Sequence, residues 1–451
     1  MSLKTRFSLL GAILICLFSR PTYAQEVLEL TLEESVQYAL ENNADAKNAL
    51  LETFASKASV GEQVAQGLPQ INGTFDFTKN VAIPVMFLPN EGPFADPDNP
   101  SDVLPVQFGV NYQSGLGVTV TQMIFDGSYF VGLKAARTYR LLSEFDKEKT
   151  ENDVIESVKK AFFTVLVNEE RKELAEANQA RIDSLYRETE ALYEEGFAEK
   201  IDVSRIKVQL NNIETELDKI NAATMISKQL LKVQMGLPLE YEIEITQTLR
   251  DLNKPEEISS LLQNNGYRRV EMDQLKTNWE LVKLDLKNNT VQYLPSIDAN
   301  FTYQRNGAGQ QFNTLWDGDN WFTGAFLGLS LKLPIFDGLA KSKRIQQNRI
   351  QLEQIENQMV MLDDNIEVER FQARTTLQNN LRTLDVQREN MELATEVYNI
   401  ARIKYQEGVG SNLEVVEADS DLKEAEINYY SALYDALIAK VDLEKALGIL
   451  R

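Results

Sequence analysis

The stretch Leu-Pro-Gln-Ile-Asn-Gly-Thr-Phe at residues 68–75 recurs as Leu-Pro-Ser-Ile-Asp-Ala-Asn-Phe at residues 294–301. Each Leu-Pro pair ends a helical pattern, because proline cannot continue a helix and pushes the residue before it toward extended geometry. Each pair is followed by apolar residues at every second position, which is the period of a β-strand. The two copies therefore mark the same helix-to-strand junction, at Pro69 and at Pro295.

Four further segments recur in the same order, at an offset of roughly 210–226 residues, which predicts an internal duplication. They are Leu-Glu-Asn-Asn at 40–43 with Leu-Gln-Asn-Asn at 262–265, Ile-Phe-Asp-Gly at 124–127 and 335–338, Tyr-Glu-Glu-Gly at 193–196 with Tyr-Gln-Glu-Gly at 405–408, and Met-Gly-Leu at 235–237 with Leu-Gly-Ile at 447–449. We predict a first repeat at 25–240, an equatorial linker at 241–255 and a second repeat at 256–451. Each repeat has the order helix, helix, strand, strand, long helix, helix.

The predicted strands carry apolar residues on one face and small or polar residues on the other. The return strands are expected at Val106–Phe125 and Trp321–Phe336, after loops at Asn80–Pro105 and Asn306–Asn320 that are rich in turn-forming residues. This alternation is typical of a lipid-facing barrel wall. A half-buried sheet of a soluble protein has the same local pattern.

Very long helices are predicted after each strand pair, because neither Gly nor Pro occurs from Leu133 to Glu195 or from Leu339 to Glu407. Asp126 and Asp337 stand where helix N-caps belong, and we interpret them as caps rather than as catalytic acids. Each is followed by a glycine at the strand-to-helix junction, and these glycines are Gly127 and Gly338. Return helices follow at about 200–234 and 412–447. The fold class is therefore mixed and mainly α.

The composition excludes several classes of enzyme and partner. The sequence contains no His and one Cys, Cys16, and its net charge is −22 at pH 7. Without His, neither a serine or cysteine hydrolase triad nor an HExxH metal site can be built. A strongly acidic chain also repels the phosphates of nucleic acids. We predict no catalytic residue, no metal, no cofactor and no nucleic acid partner; composition leaves only catalysis by carboxylates alone open.

The N-terminal residues predict export. Lys4 and Arg6 precede an apolar run, and the small residues Thr22 and Ala24 follow, which is the order of a signal peptide (residues 1–24) cleaved after its last residue. Beyond this segment, no apolar run reaches the about 18 residues of a membrane-spanning helix. If the processed chain crosses a membrane, it therefore crosses as β-strands.

The strand count requires association with other copies. Two strands in each half give four, which are too few to close a barrel, and an open sheet edge is not tolerated in lipid. Two copies would supply about eight strands, whose interior is filled by side chains, whereas three would supply about twelve and could leave a pore.

The chain resembles the outer-membrane factor family, the TolC-like channels, over essentially its whole processed length. The resemblance rests on the duplicated plan, the Leu-Pro-x-Ile strand starts, the Ile-Phe-Asp-Gly strand ends, and Tyr-Gln-Glu-Gly-Val-Gly-Ser-Asn-Leu-Glu-Val-Val-Glu-Ala at 405–418. It implies a homotrimer with a β-barrel in the outer membrane of a Gram-negative bacterium and a helical α-barrel in the periplasm. It also implies docking to a periplasmic adaptor (membrane fusion) protein and to an inner-membrane pump or ABC exporter, for efflux or type I secretion.

The resemblance also places acidic residues around a nearly closed periplasmic aperture. The matching positions are Glu414 and Glu417, three residues apart on one helical face, and Asp202 is the repeat counterpart of Glu414. In a trimer the two glutamates would give a ring of carboxylates that attracts cations. A solvated helix face is the alternative interpretation. The family's basic latch residue is replaced here by Gly410, so the latch itself is not predicted.

The turns at the ends of the long helices are the predicted adaptor-docking tips. Gly196 and Gly408 end these helices, and a positive φ at such a position favours glycine whether or not a partner binds there. The side chains expected to be exposed at the two tips are Tyr193, Phe197, Tyr405, Val409 and Ser411.

Two rival interpretations come from other classes of protein. A periplasmic coiled-coil adaptor or scaffold would explain the long helices and the charge, but not two strand pairs in register with the repeat. An exported enzyme acting through carboxylates would need a cleft with two converging acids, and the sequence shows no such pair.

Overall fold

The structure is a computed structural model that describes residues 27–94, 97–98, 100–248, 255–264, 266 and 268–450. The predicted signal peptide lies outside the described residues. The helices are α1 (Leu32–Asn42), α2 (Ala44–Ala65), α3 (Gly127–Glu194), α4 (Lys200–Met235), α5 (Pro255–Gln263), α6 (Val270–Val291), α7 (Ala340–Gln406) and α8 (Asn412–Ala446). The strands are β1 (Val27–Leu30), β2 (Gln70–Lys79), β3 (Val85–Pro89), β4 (Val103–Gln107), β5 (Tyr112–Phe125), β6 (Glu242–Ile245), β7 (Ser296–Gly309) and β8 (Trp321–Lys332).

The described residues group into two compact units. One contains the described parts of 1–52, 144–274 and 359–451, and it holds the pair β1–β6 and most of the long helices. The other contains the described parts of 53–143 and 275–358, and it holds the four-stranded sheet. None of the described helices combines the length and the apolar character that crossing a membrane requires.

The two long helices are present as predicted. α3 has 68 residues and α7 has 67, so each is on the order of 100 Å long. The apolar stripe of α3 is buried, since Val158, Phe162 and Val165 are each 0% exposed. They belong to a core cluster that also contains Leu231 of α4 and Ile243 of β6. Burial of this stripe, rather than helix propensity, accounts for most of the stability of such a helix.

A short strand, β6, lies in the predicted linker, and its Ile243 and Ile245 are both buried. It pairs in parallel with β1, Val27 opposite Glu242, a pairing that the sequence analysis did not predict. The first helix after β1 begins with a capping box, in which Thr31 and Glu34 each satisfy the other's backbone N–H.

The second unit is organised around an antiparallel sheet in the order β2-β5-β7-β8. Its register aligns Ile71, Val120, Phe301 and Leu327 in one row across the four strands. Because side chains alternate along a strand, this row and every second row share one apolar face. That face is uncovered: Leu327 is 83% exposed and Leu329 is 74% exposed.

The opposite face is mostly small or polar, and there the hydroxyls of Thr119 and Thr302 lie 3.2 Å apart. It also carries Phe322 and Phe326, opposite Asn306 and Thr302, which the sequence analysis did not single out. The apolar face in turn carries one exposed basic residue in the middle of β7, Arg305, opposite Leu116. The predicted separation of apolar and polar faces is therefore present with these exceptions.

Both return strands are shorter than predicted. The first begins at Tyr112 instead of Val106, because the chain turns through Gly109 (φ 152) and residues 103–107 pair with 85–89 as a separate hairpin. The predicted loop Asn80–Pro105 therefore contains the strands β3 and part of β4. The second return strand ends at Lys332 rather than Phe336, where Pro334 has no N–H to donate to a neighbouring strand.

The second predicted loop is also partly regular. β7 continues to Gly309, so it occupies the first residues of Asn306–Asn320. The rest of the loop contains two short 3-10 helices, Phe312–Trp316 and Gly318–Asn320. The indole N–H of Trp321 donates to the carbonyl of Leu315 at 2.7 Å, which fixes this segment against the end of the sheet.

The two aspartates at the strand-to-helix junctions act differently. Asp126 directly precedes α3, and its Oδ1 accepts from the N–H of Ser128 at 2.6 Å. Asp337 is not the residue before its helix, because α7 begins at Ala340. Its Oδ2 instead accepts from the N–H of Lys341 at 3.0 Å across a turn in which Gly338 and Leu339 both have positive φ. The cap predicted at Asp337 is therefore displaced by two residues.

Candidate functional site

The first helical tip is the turn between α3 and α4. Gly196 has a φ of 83°, and no atom lies within 4 Å of the position that a Cβ would occupy. The N–H of Phe197 donates to the carbonyl of Leu192 at 2.8 Å, and that of Gly196 donates to Tyr193 at 3.0 Å. These are the two bonds of a helix C-terminus closed by a left-handed residue.

The second tip, between α7 and α8, has the same construction. Gly408 has a φ of 74°, and the N–H of Val409 donates to the carbonyl of Lys404 at 3.0 Å. Ser411 then caps α8, because its hydroxyl accepts from the N–H of Glu414. A Cβ at Gly410 would lie 2.8 Å from the Cβ of Lys404. This turn therefore excludes a basic side chain at 410 unless the backbone shifts.

The two tips are in contact with each other. The amide of Gln406 donates to the carboxylate of Glu188 at 3.2 Å, and the hydroxyls of Thr189 and Tyr405 lie 3.4 Å apart. Tyr405 was expected to be exposed, and this is wrong: the side chain is half-buried against the core cluster of the hairpins. Its position at the contact between the tips makes it a packing residue.

The other tip side chains are exposed. Phe197 is 82% exposed, Val409 is 79% exposed and Tyr193 is 42% exposed, and Ser411 is also on the surface. Large apolar side chains that project from a turn into solvent are available to a partner protein.

The three candidate aperture acids differ in their surroundings. Asp202 accepts from the N–H of Glu199 at 3.3 Å and lies 3.7 Å from Arg205, so it is engaged at the start of α4. Glu414 and Glu417 are exposed, and neither carboxylate has a hydrogen-bond or ion-pair partner among the described residues. At this repeat position the second hairpin therefore presents free carboxylates, whereas the matching carboxylate of the first hairpin is already engaged.

Sequence analysis missed a buried polar cluster just inside the tips. Asp419 has a side chain that is only 6% exposed, and its Oδ1 lies 3.4 Å from Nη2 of Arg181. The guanidinium also lies over the ring of Tyr398, 4.6 Å from its centroid. Glu426 is 6% exposed and accepts from the amide of Asn178 at 2.7 Å. The cluster joins α3, α7 and α8 through charged and polar contacts.

A sequence signal for this cluster exists. Val415, Ala418 and Leu422 form the apolar stripe of α8, and all three are buried. Asp419 and Glu426 fall on the same stripe at helical spacing, where a carboxylate must be paired or neutralised. A carboxylate on the apolar stripe of a helix is thus the sequence pattern that predicts the buried acids Asp419 and Glu426.

Burial controls the proton affinity of these acids. It raises the pKa of Asp419, although the Arg181 guanidinium acts in the opposite direction. It likewise raises the pKa of Glu426, against the hydrogen bond from Asn178. The folded chain therefore binds these protons more tightly than the unfolded chain, so the stability contributed by the cluster falls as the pH rises through the raised pKa values.

The potential metal ligands of the described residues are dispersed. No group of three or more His, Cys, Asp or Glu side chains among those residues is placed to hold a metal ion. The arrangement offers exposed carboxylates, exposed apolar tips and a sheet with one exposed apolar face, which are features suited to contacts with neighbouring copies, partners or lipid.

Comparison with known proteins identifies the family. The family model described as "Outer membrane efflux protein" matches residues 35–237 and 285–449. The chain belongs to the outer membrane efflux protein family. The two matched segments of this efflux protein lie one in each predicted repeat.

Individual relatives agree with this assignment. This outer membrane efflux protein is 21% identical to the probable efflux pump outer membrane protein TtgC of Pseudomonas putida strain KT2440, over 92% of this chain and 82% of TtgC. It is 19% identical to the outer membrane protein TolC of Vibrio cholerae, over 95% and 93% of the two chains. Its fold matches the crystal structure of the outer membrane protein VceC of Vibrio cholerae with a TM-score of 0.69 at 16% identity, over 92% and 96% of the two chains.

We predict that Arg181→Leu destabilises the helical hairpins. The substitution leaves the buried Asp419 without its cationic partner. Breaking a buried ion pair in this way lowers the free energy of unfolding by about 3 kcal/mol. The destabilisation should shrink as the pH falls from neutral, because the raised pKa values of Asp419 and Glu426 favour their neutral forms at lower pH. Thermal unfolding followed by circular dichroism, repeated over a series of pH values from neutral downward, measures it. Arg187→Leu is the matched control, because this arginine of α3 has a side chain that is 76% exposed. Equal destabilisation by the two variants would contradict the assignment.

Proposed function

We propose that three copies of this chain form an exit duct in the outer membrane of a Gram-negative bacterium. The observation that carries the proposal is the sheet, whose apolar face is exposed over most of its length and whose strands β2 and β8 lie at open edges among the described residues. In water such a face and such edges favour aggregation. In a membrane, the apolar face suits lipid and each edge can pair with that of the next copy.

Three copies satisfy both requirements. Joining β8 of one copy to β2 of the next would close a barrel of about twelve strands, wide enough for a lumen. The mostly polar face, with Thr119, Gln304 and Asn306, would line that lumen and give a wet path. The helical hairpins would form the periplasmic part of the duct, where exposed apolar side chains such as Val368 (63%) and Phe371 (74%) would be covered by neighbouring copies.

The duct needs no chemistry of its own. We propose that the signal peptide, residues 1–24, is cleaved after Ala24, and that an inner-membrane pump or ABC exporter supplies the energy for transport. The chain itself would act as a passive conduit and not as an enzyme. The periplasmic scaffold alternative leaves the exposed apolar face of the sheet without a role.

At the periplasmic end, we propose that Glu414 and Glu417 ring the aperture. Their carboxylates are exposed and unpartnered among the described residues, and three copies would bring six of them together. Asp202 would contribute less, because it is engaged by its own helix and by Arg205. Such a ring favours cations and repels anions.

The double variant Glu414→Ala/Glu417→Ala should lower the cation-to-anion permeability ratio several-fold in planar-bilayer recordings. The physical reason is the loss of the carboxylate ring at the narrowest part of the path. Glu389→Ala/Glu392→Ala is a matched control, since these two exposed acids of α7 have the same spacing and lie away from the tips. An unchanged ratio in the tip variant would remove these residues from the aperture.

We further propose that the exposed tips bind a periplasmic adaptor protein. Phe197 and Val409 offer apolar side chains, and Tyr193 and Ser411 add polar groups beside them. Gly196 and Gly408 hold the turns that present these side chains. The half-buried Tyr405 would support the tip from inside.

Gly408→Val should weaken cross-linking to a co-expressed adaptor while leaving trimers intact. Valine disfavours the positive φ at this position, so the turn and the side chains beside it must move. Gly338→Val is the matched control, because Gly338 has a similar φ of 67° and equally free space but lies at the junction before α7. Undiminished cross-linking of the Gly408 variant would argue against docking at this tip.

A further inference from the structure

A hollow lies on the apolar face of the sheet, at the end nearest the long loops. Its volume is about 410 Å³, within the range of sites that hold small ligands. Strands β2, β5 and β8 contribute to it, together with the 3-10 helix Phe312–Trp316. The lining residues are Phe75, Phe77, Ser114, Phe312, Leu315, Trp316 and Trp321.

Small residues on the central strands keep the hollow open. The register aligns Phe77, Ser114, Gly307 and Trp321 in one row. The two central residues of this row, Ser114 and Gly307, therefore have very small side chains. The two outer residues, Phe77 and Trp321, carry aromatic rings. A Cβ at Gly307 would lie 2.8 Å from the Trp321 ring, so only glycine lets the indole lie over β7.

The walls are held by ring contacts. Phe312 meets Phe77 edge-to-face, with centroids 5.8 Å apart and planes at 86°. It also meets Trp316 at 6.2 Å and 79°. Such pairs are favourable beyond the area they bury. The hollow is therefore a formed feature of the sheet and its loop, and not a gap between flexible side chains.

The hydroxyl of Ser114 and the indole N–H of Trp321, both in the lining, already have hydrogen-bond partners. The hydroxyl of Ser114 donates to the carbonyl of Asp76 at 3.1 Å. The indole N–H of Trp321 donates to Leu315. A polar ligand would lose its hydrogen bonds here without gaining these donors, whereas a hydrocarbon chain has no hydrogen bonds to lose and can pack against the apolar lining.

Beyond the hollow, the same face ends in a positive charge. Lys79 and Tyr112 form the next row, and the ammonium lies 5.8 Å from the centre of the tyrosine ring. Lys79 is exposed, and the described residues give it no ion-pair partner. An apolar hollow followed by an exposed cation complements a molecule with a hydrocarbon chain and an anionic head.

We propose that this hollow binds one acyl chain of an anionic membrane lipid that carries a phosphate, with the phosphate beside Lys79. The inference rests on the proposed function, since it takes the apolar face to be in contact with lipid. A bound chain would cover the hollow where the sheet meets the loops, and Trp316, which is 80% exposed, would stand at the membrane surface as tryptophans commonly do.

The test uses the tryptophans as reporters. Trp279→Phe removes the one tryptophan outside the hollow and leaves Trp316 and Trp321, which line it. Trimers of this variant are placed in vesicles of phosphatidylglycerol with brominated acyl chains, which quench nearby indoles. They are then re-extracted into mild detergent free of lipid. Parallel samples from unbrominated vesicles give the reference fluorescence.

Each further substitution is made in the Trp279→Phe chain. We expect quenching to persist after re-extraction in Trp279→Phe itself and with Gln113→Leu, which changes the opposite face of β5. Quenching should be mostly lost with Ser114→Leu, which fills the floor of the hollow, and with Phe312→Ala, which removes part of its wall. Lys79→Gln should retain less lipid than the parent trimer.

The outcomes separate the two proposals. Quenching in vesicles that disappears from every variant on re-extraction, or that persists equally in Ser114→Leu and Phe312→Ala, overturns the bound chain while leaving the duct intact. Retention unchanged by Lys79→Gln overturns the placement of the phosphate. If even the vesicle sample shows no quenching, the sheet does not meet lipid, and the proposed function fails together with the inference.

Discussion

The backbone groups at the edges of the four-stranded sheet are the constraint on which the rest of the structure depends. β2 and β8 each present a row of N–H and C=O groups with no neighbouring strand among the described residues, and the apolar side of the sheet is uncovered. Backbone polar groups left unpaired in an apolar environment cost several kcal/mol each. A single chain therefore cannot use this sheet in a membrane, and copies joined edge to edge can.

The duplication gives each chain its two strand pairs and its two helical hairpins. The two halves nevertheless differ at the strand-to-helix junctions and at the helical tips. Asp126 caps its helix directly, whereas Asp337 does so from two residues farther away across a turn with positive φ. At the tips, Asp202 is tied to Arg205, whereas its counterpart Glu414 is free. In the proposed duct, Glu414 and Glu417 of the second hairpin would therefore supply more free charge to the aperture than Asp202 of the first.

Much of the fold could be predicted from local rules. Pro69 and Pro295 fix the junctions because proline cannot continue a helix beyond its first turn, and the Gly- and Pro-free stretches fix the long helices. The hairpin β3–β4 was missed because its pairing depends on contacts between segments of a loop rich in turn residues. The offset of α7 was missed because nothing local predicts that Leu339 takes a positive φ.

The candidate site was less predictable, because it depends on what surrounds each side chain. Glu414, Asp419 and Glu426 look alike in the sequence, and yet the first is exposed while the other two are buried around Arg181. Tyr405 also looks like its exposed counterpart Tyr193, but the approach of the two tips covers it. The sequence shows where the acids lie along the chain. Only the packing of α3, α7 and α8 shows which of them are exposed and can face a neighbouring copy.

The central claim is that the open sheet is closed by two further copies of the same chain. The most direct test is the mass of the particle extracted from the outer membrane in mild detergent, measured by light scattering with the detergent subtracted. A barrel closed by three copies has a mass near three times that of the processed chain, and this is the expected result. A monomer in the soluble periplasmic fraction would contradict it, because the apolar face of the sheet would then have to be covered by protein, as in a periplasmic scaffold.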